Sequence, residues 1–285
     1  MSEEKHYPVQ RLCEYLHLSR GAYYRWLKAP VSHSERYNNE ISEKIRDIHE
    51  KHSDMGYRRI RDKLAKKYGI EVNDKRVLRI CRIESIQSTI KWKPKGCTRN
   101  SDDPAHIARN YLNRDFHADA PNQKWLTDVT EFKYYIGIEV HKIYLSAILD
   151  LYDRRIVAYK ISEHNNNTLV LDTFDNAIAA EPDAHPLFHS DRGFQYTSKQ
   201  FCSKLKKRHM RQSMSRVAHC IDNGPMEGFW GILKREMYYG KRFTSKADLV
   251  NAIESYLKYY NTERIQRKLN LMTPAEYHEC YVTAA

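Results

Sequence analysis

Several features that mark common classes of protein are missing from this sequence of 285 residues. Its six cysteines lie far apart and form no Cys-x-x-Cys pair, which predicts reduced thiols in a cytosolic protein. The amino terminus is polar and charged, so it predicts no signal peptide, and no apolar run approaches the roughly 20 residues that a membrane span needs. Internal repeats and low-complexity tracts are also absent. The sequence therefore predicts a globular cytoplasmic protein of one or two domains.

What the sequence has in excess is positive charge, most of it near the amino terminus. Lysine and arginine total 48 against 36 aspartate and glutamate residues, a net charge of +12. Residues 1–118 carry +9 of this charge and residues 119–285 carry +3. Such an imbalance favours an anionic partner, with nucleic acid the leading candidate, although a solvated basic face has the same composition.

Helical patterns fill the first 90 residues. Residues 1–30 predict two short helices around a tight turn, which fits a small helix-turn-helix unit or a plain helical hairpin. Residues 31–90 predict three more helices, and the second and third have basic outer faces. A helix-turn-helix DNA-binding domain is therefore predicted at 31–90, against the alternative of a solvated charged face. The residues expected to contact DNA there are Arg58, Arg59, Lys75, Arg76 and Arg79.

Residues 91–119 show little periodicity and are predicted to form a basic linker. Lys91, Lys93 and Lys95 are placed so that they could follow phosphate groups along DNA. A short helix is predicted near residues 105–110.

From residue 120 the pattern changes from helices to strands. Residues 124–135 are rich in Trp, Thr, Val, Phe and Tyr, as a strand should be, and two further strand patterns follow. After them, helix and strand patterns alternate. Residues 120–240 therefore predict an α/β domain with a mixed sheet flanked by helices. Residues 241–285 predict a C-terminal helical extension that contains a strongly amphipathic helix.

Three acidic residues of the α/β region could meet at one end of the predicted sheet. Asp128 is near the middle of the first strand, Asp191 follows the fourth strand, and Glu227 is in the first turn of a helix. If the two strands are neighbours, their carboxylates can approach each other while the helix packs across the same end. Mg²⁺ prefers carboxylate oxygen, and two such ions roughly 4 Å apart can bridge a scissile phosphate and activate an attacking oxygen.

Each of these residues also has a simpler interpretation. An acidic residue in a strand often faces solvent, Asp191 could belong to a turn, and a first-turn glutamate such as Glu227 is favoured by the helix dipole. Three further aspartates are alternative ligands, although turn positions explain them as well: Asp150, Asp153 and Asp222. The combination of Asp128, Asp191 and Glu227 is what favours a metal site for phosphoryl transfer on DNA.

The sequence around these residues resembles a known family. Thirty-five residues separate Asp191 from Glu227, which is similar to the Asp-Asp-35-Glu signature of retroviral integrases and related bacterial transposases. The finer resemblance is to the transposase encoded by the second reading frame of a large bacterial insertion-sequence family. Four segments carry it: WLTDVT at 125–130, HSDRGFQY at 189–196, DNGPMEGFW at 222–230 and LKRE at 233–236. With further matches near both ends, the resemblance runs from about residue 11 to 278.

This resemblance implies a ribonuclease H-like catalytic domain over 120–240. In it, Asp128, Asp191 and Glu227 would bind two Mg²⁺ or Mn²⁺ ions, and Lys234 and Arg235 would contact DNA near the transposon end. Water would free a 3′-hydroxyl at the element end, and that hydroxyl would attack another phosphodiester without a covalent protein–DNA intermediate.

The resemblance also implies partners. They would be the terminal inverted repeats of the transposon and target DNA, bound in the bacterial cytoplasm in association with the nucleoid. A dimer or larger assembly is expected because two DNA ends must meet. Members of the family are usually fused, through ribosomal frameshifting, to an upstream product with another helix-turn-helix and a leucine zipper. The sequence has no sustained heptads, so we expect the second-frame product, with the upstream product as a fusion or partner.

Two other functions compete with an active transposase. A non-catalytic DNA-binding regulator or inhibitor of transposition would keep the basic helices but show no metal-dependent cleavage. A ribonuclease or resolvase on the same fold would cleave its substrate without strand transfer.

Overall fold

The computed structural model describes residues 8–90, 107–216 and 220–284. The chain divides into two compact units, Met1–Gln87 and Ser88–Ala285. Within these described ranges, no helix is long and apolar enough to cross a membrane.

The regular structure of the first unit, over its described residues, consists of helices. Its helices are α1 (Val9–Tyr15), α2 (Arg20–Leu27), α3 (His33–Lys51), α4 (Tyr57–Tyr68) and α5 (Asp74–Ile83). The hydroxyl of Ser19 accepts the amide of Ala22 at 3.1 Å and so caps α2. Helices α3, α4 and α5 share one apolar core, built from positions three or four residues apart on each helix: Ile41, Ile45, Ile48, Ile60, Leu64, Val77 and Ile80. The predicted helical character of this region is confirmed.

The second unit contains all five strands of the structure's sheet. Its strands are β1 (Lys124–Ile136), β2 (Glu139–Asp150), β3 (Ile156–Ser162), β4 (Leu187–Ser190) and β5 (Arg211–Met214). Its α-helices are α6 (Asn167–Ala180), α7 (Lys199–Lys207), α8 (Gly224–Leu233), α9 (Lys246–Thr262) and α10 (Pro274–Ala284). A short 3₁₀ helix, Cys220–Asn223, leads into α8, and a π-helical turn, Lys234–Tyr238, follows it.

The sheet is mixed, with the strand order β3-β2-β1-β4-β5. Strands β1, β2 and β3 pair antiparallel, whereas β1 with β4 and β4 with β5 pair parallel. The predicted mixed sheet flanked by helices is confirmed.

Helices cover both faces of the sheet because the side chains of β1 alternate between two cores. Leu126 and Phe132 belong to the core that contains α8 and α9, whereas Trp125 belongs to the core that contains α6 and α7. Helix α9 therefore shares a core with β1 and α8. Asp128 has the same parity as Leu126, so its side chain lies on the α8 side of the sheet.

The segment before β1 differs from the prediction. Residues 107–110 of the helix expected at 105–110 have no regular structure, and the first two positions lie outside the described residues. The hydrogen-bonding groups of this segment are used by more distant partners: the hydroxyl of Ser213 accepts the amides of Tyr111 and Leu112 at 2.9 and 3.1 Å. Contacts with β5 thus replace the local bonds of a helix.

Candidate active site

The parallel pairing of β1 with β4 sets Asp128 beside Asp191. The two strands are in register at Trp125 with Phe188 and at Leu126 with His189. Asp128 and Asp191 each lie two residues beyond this last pair. Since neighbouring strands are about 4.8 Å apart, the two aspartates lie at the same level where β4 leaves the sheet.

A tight turn after β4 orients the carboxylate of Asp191. The amide of Gly193 donates a hydrogen bond of 2.8 Å to Asp191 Oδ1. A Cβ atom added at Gly193 would lie 3.0 Å from that same oxygen and 3.0 Å from Oε1 of Gln195. A side chain at position 193 would therefore press against the carboxylate of Asp191.

Helix α8 carries Glu227 in its first turn and contacts Asp128 one turn later. The side chain of Glu227 is exposed, whereas that of Trp230 is buried in the core beneath the helix. The indole nitrogen Nε1 of Trp230 donates to Asp128 Oδ2 at 3.0 Å. Residues three apart share one face of a helix, so this contact brings the first turn of α8 to the side of the sheet on which Asp128 lies.

The start of α8 is held by a contact with β1 rather than by a side-chain cap. Asn223 occupies the amino-cap position and Pro225 lies in the first turn, yet no side chain caps the helix. Instead, Nδ2 of the buried Asn223 donates to the carbonyl of Thr127 at 3.2 Å. This hydrogen bond therefore links the start of α8 to β1 at Thr127, the residue before Asp128.

Burial and the neighbouring carboxylates raise the cost of ionising Asp128. Burial is the main reason that the pKa of Asp128 rises to about 7, the negative charge of Asp191 adds to it, and Glu227 contributes a smaller part. Hydrogen bonds from the Val129 amide and the Trp230 indole oppose this rise. Burial also raises the pKa of Asp191, against the hydrogen bond from Gly193. The cluster thus concentrates negative charge that a divalent cation would offset.

A buried phenol lies beside the two aspartates. The oxygen of Tyr196 is 3.2 Å from Oγ1 of Thr127, whose own proton goes to the Ala147 carbonyl at 3.0 Å. Tyr196 must therefore donate to Thr127. Burial and the charges of Asp128 and Asp191 hold the pKa of Tyr196 well above its usual range, so the phenol keeps its proton.

His189 lies two residues before Asp191 and is fully buried. Its Nδ1 is 2.9 Å from Ser213 Oγ, and its Nε2 is 3.1 Å from Ser215 Oγ. Because the Ser213 oxygen already accepts two backbone amides, its proton must go to Nδ1, which leaves the imidazole proton on Nε2. Burial lowers the pKa of His189 to about 4, so this ring is neutral and structural.

The ligand roles of Asp128, Asp191 and Glu227 remain predictions. Within residues 8–90, 107–216 and 220–284, no group of three or more His, Cys, Asp or Glu side chains is arranged to hold a metal ion. The structure aligns the two aspartates and carries Glu227 on the helix that contacts one of them. Their oxygen donors and shared negative charge fit Mg²⁺ by the chemistry of the set.

Asp222, an alternative ligand, is engaged by basic residues. Its buried carboxylate accepts Nε of Arg114 at 2.7 Å, and both Nε and Nη2 of Arg216 at 2.9 Å. The hydrogen bonds from Arg216 hold the pKa of Asp222 far below its usual range. Its bond with Arg114 therefore links the residues that precede α8 to the segment before β1.

Asp150 and Asp153 also stabilise the structure locally. Asp150 accepts the amides of Asn122 and Tyr152 and the indole of Trp125, at 2.6, 2.7 and 3.1 Å. Asp153 accepts the Arg155 amide at 2.9 Å, and its other oxygen is 2.8 Å from a ring nitrogen of His278 on α10. Both lie at the turn between β2 and β3.

The segment after α8 contains the LKRE motif. Lys234 begins the π-helical turn, with its Nζ 5.1 Å from the centre of the Phe132 ring, and Arg235 is partly exposed. Glu236 is buried and forms two hydrogen bonds with Arg264, at 2.8 and 3.0 Å. The motif thus contains two basic side chains, Lys234 and Arg235, that are at least partly exposed to solvent. Its Glu236 forms an ion pair that links the turn after α8 to the chain after α9.

The basic residues predicted to bind DNA in the first unit have different environments. Arg58, Lys75 and Arg79 are exposed. Arg59 pairs with Asp54 at 2.9 Å. Arg76 is half-buried, and its Nε donates to Asn38 of α3 at 2.9 Å. The linker residues Lys91, Lys93 and Lys95 lie outside the described residues. DNA contact by all of these residues remains a prediction.

Sequence reasoning missed the residues that support the acidic cluster. Trp230, Tyr196 and Asn223 lie inside the quoted motifs, but nothing in their spacing assigned them partners. For Trp230 a signal was present, since it is three residues after Glu227 and therefore on the same helical face.

Family models match the chain in three places. A model described as an integrase core domain matches residues 118–220, and another of the same description matches residues 227–280. A model described as an HTH-like domain matches residues 36–94. The mixed sheet between two layers of helices is thus the core of an integrase domain, and the class is that of proteins with an integrase core.

Relatives extend the match to nearly the whole chain. InsK, assigned as the transposase of insertion sequence element IS150 in Escherichia coli strain K12, is 36% identical over 95% of this chain and 93% of its own length. The protein assigned as transposase of IS1353 in Shigella flexneri is 34% identical over 95% of this chain and 52% of its own length. A solved structure of the HTLV-2 integrase catalytic core domain in complex with magnesium is 21% identical, with a TM-score of 0.45, over 57% of this chain and 99% of that one. This chain belongs to the family of insertion-sequence transposases with an integrase core domain.

Proposed function

We propose that this protein cleaves DNA at transposon ends and transfers the freed strand to a second phosphodiester. The observation that carries this proposal is the alignment of Asp128 with Asp191 on paired parallel strands, beneath the helix that carries Glu227. A 3′-hydroxyl released by hydrolysis at the element end is the nucleophile of the second step. Both steps are displacements at phosphorus, so one acidic site can serve both.

Asp128, Asp191 and Glu227 are the residues that would hold two Mg²⁺ or Mn²⁺ ions. The ions would supply charge neutralisation at the scissile phosphate and activation of the attacking oxygen. The chain's own contribution is positioning. Gly193 and Trp230 each fix one carboxylate by a hydrogen bond, at 2.8 and 3.0 Å. The raised pKa of Asp128 supports this assignment, since strongly shifted pKa values are frequent at functional sites.

DNA would be held by basic residues of both units. Arg58, Lys75 and Arg79 are exposed on the helical unit, and Lys234 and Arg235 follow the helix of Glu227. The substrates would be the terminal inverted repeats and target DNA in the bacterial cytoplasm, held by a dimer or larger assembly because two ends must meet. The IS1353 relative extends well beyond the part it shares with this chain, which supports an additional fused or partner segment.

The test uses labelled DNA that carries the element's own end, with Mg²⁺. Wild-type protein should release cleaved and joined strands, and Asp191→Asn should release neither. Asp183→Asn is the matched control, because Asp183 is an exposed aspartate away from the cluster, and it should retain activity.

Other results would favour the competing functions. A wild type that binds the end but neither cuts nor joins it, even with the upstream product added, would favour the non-catalytic regulator. Cleavage without joining would favour a nuclease or resolvase.

A further inference from the structure

The contact between Trp230 and Asp128 is more specific than core packing requires. Trp230 is 4% exposed, and its ring packs against Phe229, with 5.0 Å between ring centres. An apolar side chain could occupy the core without a polar atom to satisfy. The indole N–H is instead directed at a carboxylate, at 3.0 Å. A hydrogen bond to an ionised group is among the stronger ones in proteins.

The position of Trp230 on α8 gives this bond a second consequence. Glu227 lies three residues earlier on the same face, so the bond that fixes Trp230 against β1 also limits how α8 can slide or rotate over Asp128. The core around it resists movement, because Phe229 packs edge-on against Tyr260 of α9 at 4.8 Å. Rotation of the Asp128 carboxylate about its terminal bond is restricted by the same hydrogen bond.

We propose that Trp230 is a positioning residue of the cation site: its indole N–H fixes the Asp128 carboxylate and sets the placement of Glu227 relative to it. The inference rests on the proposed function, since it assumes that Asp128 and Glu227 bind the cation. It goes further by naming a residue outside the acidic triad whose loss weakens cation binding without removing a ligand. Partners of this kind orient metal ligands in many proteins.

The chain contains its own matched control. Trp125 is also buried, and its indole N–H also donates to an aspartate, Asp150, at 3.1 Å. That carboxylate lies at the β2–β3 turn and accepts backbone amides, outside the acidic cluster. Trp125→Phe and Trp230→Phe therefore remove the same chemical group from two buried indole–carboxylate pairs, of which one belongs to the cation site.

The first experiment observes the indole N–H groups directly, in the full-length ¹⁵N-labelled protein without DNA. Four tryptophans give four indole signals, and the two variants assign Trp125 and Trp230. On addition of Mg²⁺, the Trp230 signal should shift because its acceptor binds the ion, while the Trp125 signal should stay in place. A Trp230 signal that Mg²⁺ leaves unmoved would overturn the proposal.

The second experiment compares Mg²⁺ affinities, with the Gly193 amide signal as the reporter in every variant. Trp230→Phe should weaken Mg²⁺ binding about 10- to 100-fold, and Trp125→Phe should leave it unchanged. Equal affinities in wild type and Trp230→Phe, or an equal loss in both variants, would overturn the positioning role. A strand-transfer assay tests the proposed function separately. A wild type that binds Mg²⁺ through this site but never joins DNA would contradict the proposed function and leave the positioning role of Trp230 intact.

Discussion

Breaking the buried ion pair between Glu236 and Arg264 should destabilise the second unit strongly. The two side chains are 6% and 11% exposed. Two hydrogen bonds join them, and the hydroxyl of Tyr256 donates to Oε2 of Glu236 at 2.9 Å. Burial acts against the charge of Arg264, but the hydrogen bonds and charge of Glu236 outweigh it and raise the pKa of the guanidinium.

Replacement of one partner would leave the other buried without compensation. Arg264→Met keeps much of the side-chain volume but removes the cation, so the free energy of unfolding should fall by about 3–5 kcal/mol. The double variant Glu236→Gln with Arg264→Met leaves no unpaired charge and should recover most of that loss. Urea unfolding of the wild type and of both variants, followed by tryptophan fluorescence, measures the three free energies of unfolding.

An exposed ion pair supplies the control for this cycle. Lys204 of α7 pairs with Asp175 of α6, and their side chains are 34% and 57% exposed. Lys204→Met should lower the free energy of unfolding by less than about 1 kcal/mol, because solvent screens the pair. Two results would contradict a buried, coupled pair: a loss of unfolding free energy in Arg264→Met no larger than in Lys204→Met, or a double variant as unstable as Arg264→Met alone.

Three further predictions concern the acidic cluster and its supports. Gly193→Ala should reduce strand transfer at least about tenfold by displacing the Asp191 carboxylate. Gly228→Ala is the control and should keep its activity, because an added Cβ there meets nothing within 4 Å. Equal losses of strand transfer in the two variants would contradict this prediction. The Mg²⁺ concentration that half-saturates the site should fall as pH rises through about 7, because protons compete for Asp128, and calorimetric titration that finds no pH dependence would count against Asp128 as a ligand. Burial lowers the pKa of His189 from 6.5 to about 4 in the folded protein, so the unfolded chain binds a proton first as pH falls. The neutral ring therefore contributes roughly 3 kcal/mol to the free energy of unfolding above about pH 6.5, and this contribution is lost as pH falls towards 4. Imidazole NMR should show a neutral ring with its proton on Nε2 down to about pH 4, and titration near 6.5 would disprove the proposed hydrogen-bond order.

Local patterns in the sequence were sufficient for most of the secondary structure. Ser19 directly precedes α2, and its hydroxyl accepts the amide three residues later, as serine commonly does at a helix start. The alternation along β1 indicates which residues share a face, so the parity of Asp128 with Leu126 and Phe132 can be read from the chain. Such features depend on neighbours only a few residues away.

The pairing of β1 with β4 could not be predicted in the same way. Strand β4 has only four residues, so its own pattern does not fix the register that aligns Asp191 with Asp128. Asp222 was an alternative ligand, and its contact with Arg114, 108 residues away in the chain, could not be foreseen from the sequence. The indole bond to Asp128 spans 102 residues. Contacts of this kind, between residues far apart in the chain, show which acidic residues are structural and which could bind a metal ion. The local periodicity of the sequence carries no information about such contacts.

The central claim is that Asp128 and Asp191 belong to one cation site that performs the chemistry. The most direct measurement is a metal-specificity switch at Asp191, scored by cleavage of labelled element-end DNA. A thiolate binds Mg²⁺ poorly but softer cations such as Mn²⁺ or Zn²⁺ more readily. Asp191→Cys should therefore be inactive with Mg²⁺ and regain cleavage with a softer cation, while the exposed control Asp183→Cys should behave as the wild type does. Wild-type cleavage by Asp191→Cys in Mg²⁺ alone would contradict the assignment of Asp191 as a ligand.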